Sequence, residues 1–96
     1  MKRYDFYADP GHGWLKVPRT ELYELGISSL ISCFSYVRGA YAYLEEDNDL
    51  STFLRAKRAT GVQPSYRHHH TDRYSRIRHY ASYSPQGAAH ATATGE

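Results

Sequence analysis

Ten of the 96 residues are tyrosine, joined by three phenylalanines and one tryptophan, against a single methionine. A chain this short has room for one core only, so that balance constrains its folding more than any motif. The area available for burial is largely phenolic, and every buried ring brings a hydroxyl that needs a partner or water. By position the tyrosines fall into two populations. Tyr4 lies with Phe6, and Tyr36, Tyr41 and Tyr43 cluster in mid-chain; Tyr66, Tyr74, Tyr80 and Tyr83 follow in a basic stretch. The first population is expected to fold the domain and the second to meet something else.

Several classes are excluded. Cys33 is the only cysteine, so an intrachain disulfide framework is impossible and a reducing compartment is expected. No apolar run reaches signal-peptide or membrane-span length, and a cytoplasmic protein with no membrane partner is expected. The net charge of +2 hides an asymmetry: residues 1–54 hold five Lys/Arg against eight Asp/Glu, and residues 55–96 hold seven against two. One half is acidic and the other basic.

Alternation predicts a strand from Tyr4 to Ala8, a turn over Asp9-Pro10-Gly11-His12-Gly13, and a second strand from Trp14 to Val17. Pro18 suits the first turn of a short helix carrying Leu22 and Leu25, which Gly26-Ile27 would stop in a Schellman motif. Residues 31–44 read as a hairpin about Arg38-Gly39, with Tyr36 opposite Tyr41 and Phe34 opposite Tyr43. Phe34, Tyr36, Tyr41 and Tyr43 then share one face, while Cys33, Ser35, Val37, Ala40, Ala42 and Leu44 share the other. Leu50, Phe53, Leu54 and the stem of Lys57 form a helical stripe, with Asn48 or Asp49 as N-cap and Gly61 at the end. Val62 to His70 is expected as a last strand, placed at an edge by Pro64. Residues 71–83 show no clear period. The expected fold is α+β: a small, mostly antiparallel sheet in the order β-β-α-β-β-α-β with two helices on one face. Residues 1–83 are expected to form the domain and 84–96 a disordered tail.

Three constellations carry chemistry. Glu45, Glu46, Asp47 and Asp49 lack the glycine and terminal acid of a calcium loop; they suit either the start of a helix or a contact with a basic groove. Together with Tyr36, Tyr41 and Tyr43 they are the candidate partner-binding residues. His68-His69-His70 would send His68 and His70 to one side of a strand, yet a zinc site needs three or four ligands. His12, between two glycines and near Asp9, could move a proton or simply bond the backbone. No specific metal site and no cofactor is expected. Arg67, Arg73, Tyr74, Arg76 and Arg78 interleave cations with rings, the composition of a nucleic-acid surface, though the modest net charge and Asp72 weaken that reading. Neither a nucleophile elbow, a phosphate loop, a zincin pair nor a dinucleotide fingerprint occurs, so an enzyme is not expected.

The stretch Tyr4-Asp5-Phe6-Tyr7-Ala8-Asp9-Pro10-Gly11-His12-Gly13-Trp14-Leu15-Lys16-Val17-Pro18 precedes Glu21-Leu22 and Glu24-Leu25-Gly26-Ile27. Ala42-Tyr43-Leu44-Glu45-Glu46-Asp47 follows, and then His69-His70-Thr71 with Arg73, Ser75, Ile77 and Arg78. Over residues 4 to about 80 this set resembles a family of small proteins encoded by bacteriophages and prophages. The resemblance implies an anti-defence inhibitor, an anti-CRISPR acting on a type I system. Such a protein would bind a CRISPR-Cas effector subunit or nuclease of the host without chemistry. No site residues carry over from the family. Direct nucleic-acid binding is the alternative expectation.

Overall fold

Alternation of rings and polar residues builds strand β1 (Arg3–Ala8), and the Pro-Gly loop returns the chain antiparallel as β2 (Gly13–Pro18), with Phe6 opposite Leu15. The structure, a computed structural model, describes residues 3–84. Helix α1 (Arg19–Glu24) stops as the spacing predicts: Gly26 N–H donates to the Tyr23 carbonyl and Ile27 N–H to the Leu22 carbonyl, the Schellman pattern. A 3-10 turn at Ser28–Leu30 leads to β3 (Tyr36–Arg38), β4 (Tyr41–Glu45) and α2 (Leu50–Ala59). After α2 come β5 (Ser65–His70), a second 3-10 turn at Arg76–His79, and the short β6 (Ala81–Ser82).

The strands form one sheet in the order β5-β1-β2-β4-β3-β6, in which only β1 and β5 pair in parallel. The fold is α+β with a mostly antiparallel sheet. Both helices lie on one face, since Leu22 of α1 and Phe53 of α2 pack in one cluster with Tyr4, Phe6, Leu15, Val17, Ala42 and Leu44. Lys57 of α2 and the Tyr4 hydroxyl both meet Glu21 of α1, at 2.8 and 2.6 Å, which ties the two helices to the sheet.

The central hairpin departs from the expected register. Tyr36 pairs with Tyr43 and Val37 with Ala42, so the loop is Gly39-Ala40 rather than Arg38-Gly39. Gly39 has φ +59° and no non-glycine residue among the described residues has positive φ, which matches a turn with glycine first among its central residues. The offset is two residues, an even number, so the paired side chains of residues 36–38 and 41–43 keep their expected faces. Phe34 does not join the ring face: β3 begins only at Tyr36, and Phe34 is 62% exposed in the segment before it.

The stretch 71–83 had no readable period because its structure is borrowed from the sheet. β6 exists by pairing with β3, and Tyr83 is buried, its hydroxyl donating to the Ser28 carbonyl at 2.7 Å. Tyr83 therefore belongs to the folding population and not to a contact surface. Of the expected tail, residues 85–96 lie outside the described residues.

One close approach admits only glycine. A Cβ on Gly13 would stand 2.4 Å from Cζ of the core residue Phe6. Gly13→Ala should therefore lower stability by about 1–3 kcal/mol through overpacking, read as a fall in the urea midpoint at unchanged slope. An unchanged midpoint would contradict this contact.

Candidate functional site

The sheet face opposite the helices carries Tyr7 from β1, Trp14 and Lys16 from β2, Tyr43 and Glu45 from β4, and Tyr36 from β3. The segment 71–80 folds back over part of this face. Ile77 is buried against Trp14 and Tyr43, and Tyr80 packs its ring edge-on at 5.1 Å from Tyr43. Two residues near the chain's opposite ends hold the segment in place. Arg78 donates through Nε and Nη2 to the Asp9 carboxylate at 2.6 and 2.9 Å, and Ser75 N–H donates to the same group at 2.9 Å. Gly11 and His12 N–H also donate to Asp9 from the loop side. The Arg78 guanidinium, aided by these N–H groups, holds the Asp9 carboxyl well below the usual carboxylate range despite burial.

Two depressions flank the tethered segment. The first is an open cleft of about 610 Å3 lined by Tyr7, Lys16, Tyr43, Tyr74, Arg73, Arg76 and their neighbours Thr71, Ser75, Ile77 and Tyr80. Among the described residues it is lined by cations and rings and by no carboxylate. Burial pushes the Tyr7 and Tyr43 phenols up. The second is a hollow of about 370 Å3 lined by His12, Trp14, Phe34, Tyr36, Glu45, Asp47, Asn48 and Arg78. Here the β2–β4 register sets Trp14 opposite Glu45 and brings the His12 turn against the turn that follows β4. His12 Nδ1 lies 3.2 Å from Glu45 Oε2, while Glu45 Oε1 accepts from Asp47 N–H and Asn48 Nδ2.

The expected partner-binding set does not form one surface. Glu45, Asp49 and Tyr43 are buried, at 5%, 2% and 8% exposure, and only Glu46, Asp47 and Tyr41 are exposed, with Tyr36 between. The reason is local bonding. Asp49 is the N-cap of α2 by position, but its carboxylate turns inward to accept from Ser32 N–H, Ser32 Oγ and Ser35 Oγ. Glu45 is consumed by the turn it closes. Of the alternative set, Arg67, Arg73, Tyr74 and Arg76 are exposed, whereas Arg78 is engaged by Asp9 and is a positioning residue. Arg73, Tyr74 and Arg76 share the cleft; Arg67 points along the β5 edge toward Asp5, 3.6 Å away.

The histidine run follows the strand alternation and brings no metal set together. His69 stacks on Tyr7 and bonds Asp5 at 2.9 Å, and His70 bonds Asp72. Among the described residues the group able to hold a metal ion is instead His12, Glu45 and Asp47. Lys16, Tyr7 and Trp14 were not singled out as site residues. The β1 alternation did place Tyr7 opposite the Tyr4-Phe6 side, which was the available signal for it.

The fold and face define an α+β protein with one helix-covered side and one side divided between a basic cleft and an acidic, histidine-bearing hollow. No family model, no curated protein and no solved structure matches the chain. No helix among the described residues is long and apolar enough to cross a membrane.

Proposed function

We propose that the protein is a binding module that takes a single strand of nucleic acid in the cleft beneath segment 71–80. The observation that carries this reading is the lining: Lys16, Arg73 and Arg76 surround a floor of tyrosines with no acid among them. Phosphates would meet the three cations, and a base would stack on Tyr74, which is 75% exposed. Among the described residues neither histidine, carboxylate nor cysteine lines the cleft, which favours binding over proton transfer.

A second reading is an inhibitor of a host defence protein, the function implied by the phage-family resemblance. One observation favours it. Phe34 stands exposed on the same wall as Asp47, with Glu46 exposed beside it, so a ring and two acids remain free to meet a basic groove.

A gel shift with a labelled single-stranded oligonucleotide at two salt concentrations separates the two. Binding should weaken steeply with salt, and removing Lys16, Arg73 and Arg76 together should lower the log–log salt slope by about 2, at roughly 0.7 per lost phosphate contact. No shift at low salt, or a slope untouched by the triple alanine variant, sinks the nucleic-acid reading and leaves the inhibitor.

A further inference from the structure

We propose that the hollow beside Trp14 is a site for one divalent metal ion, held by His12 Nδ1, Glu45 and Asp47. This does not rest on what the basic cleft binds. The donor atoms of the three residues all lie within 4.8 Å of one another, and they come from two turns that the β2–β4 pairing locks side by side. Two ligands bound at about 2.1 Å and subtending somewhat more than a right angle stand roughly 3.0–3.2 Å apart. The His12 Nδ1 to Glu45 Oε2 separation is 3.2 Å, so this edge of a coordination shell already exists.

The supporting bonds are those of a ligand set. Glu45 is buried, and its other oxygen is fixed by Asp47 N–H and Asn48 Nδ2, which orients Oε2 toward His12. The His12 backbone is fixed by its N–H bond to Asp9. Charge agrees as well. Among the described residues Arg78 is the one Lys or Arg on the wall, and the Asp9 carboxylate neutralises it through two bonds, so Glu45 and Asp47 leave the hollow negative.

A buried donor borders the same hollow. Trp14 lines the hollow and is 1% exposed, yet its indole Nε1–H has no hydrogen-bond partner among the described residues. Buried donors are nearly always paired. The Trp14 donor is thus an orphan beside the three ligand candidates. One imidazole with two carboxylates suits a divalent first-row ion such as Zn2+ or Mn2+.

The test uses the full chain with His68, His69 and His70 replaced by Gln, because that run would bind metal adventitiously. Trp14 is the only tryptophan, and its ring lies 6.0 Å from that of His12, so Mn2+ quenching of its fluorescence reports the site directly. Titration calorimetry with Zn2+ and with Mn2+ gives the stoichiometry. The expected result is one ion per chain with saturable quenching. His12→Ala and Asp47→Asn, both at exposed positions, should each weaken binding by at least about tenfold with circular dichroism unchanged. Absence of saturable quenching, or affinity unchanged in both variants, overturns the proposal.

Discussion

Replacing Asp9 with alanine should lower the stability by about 3 kcal/mol, because one buried carboxylate joins three parts of the chain. Its side chain is wholly buried and receives the Arg78 guanidinium, Ser75 N–H, and the Gly11 and His12 N–H groups. Removing it strands the loop donors and frees segment 71–80 from the second sheet face. Arg78 keeps some access to water, which holds the loss near the lower end of that for a broken buried pair. The melting temperature should fall by about 12–24 °C for a domain of this size. The pH dependence has a definite sign. Asp9 has its folded pKa depressed, so its contribution is complete above the ordinary aspartate value of about 3.9 and is lost as pH falls below it. Urea midpoints at pH 7, 4 and 3 should therefore converge between wild type and Asp9→Ala as the medium becomes acid. Parallel curves would show that Asp9 carries no such linkage.

Phe53→Ala should cost about 3–5 kcal/mol, the loss expected when a fully buried ring leaves a cavity. Phe53 is 0% exposed and meets Tyr4 edge-on with centroids 5.3 Å apart, so it joins α2 to the sheet. Phe53→Leu should cost much less, about 1 kcal/mol, since volume is largely kept. Ala and Leu are both better helix formers than Phe, so a loss seen by chemical denaturation in either variant reports packing and not helix propensity. Equal costs for the two substitutions would place Phe53 outside the core.

Local patterning carried much of the fold. The Tyr4-Phe6-Ala8 alternation, the Gly26-Ile27 stop and the Leu50-Phe53-Leu54 stripe each depend on contacts within a few residues, and each forms as its spacing predicts. The hairpin faces were legible while its register was not. Face depends only on parity, but register depends on which residue occupies the first central position of the turn, and Gly39 adopts positive φ there.

The candidate site was less legible. An acidic run looks alike whether its carboxylates face water or bond inward, and Asp49 turns inward because Ser32 and Ser35 happen to pass beside it. Basic residues 73–78 divide for a similar reason. Arg73 and Arg76 line the cleft, whereas Arg78 is taken by a partner 69 positions away.

The ten tyrosines show where that boundary lies. Residue type and period alone determined that this chain builds an α+β sheet from phenolic rings with two helices on one side. Only the tertiary structure decided that Tyr83 is a core anchor, that Tyr74 is open to solvent, and that His12 meets Glu45 and Asp47. Short-range order follows from forces between neighbours along the chain. A site assembled across sheet strands depends on pairings between distant residues, which no local pattern encodes.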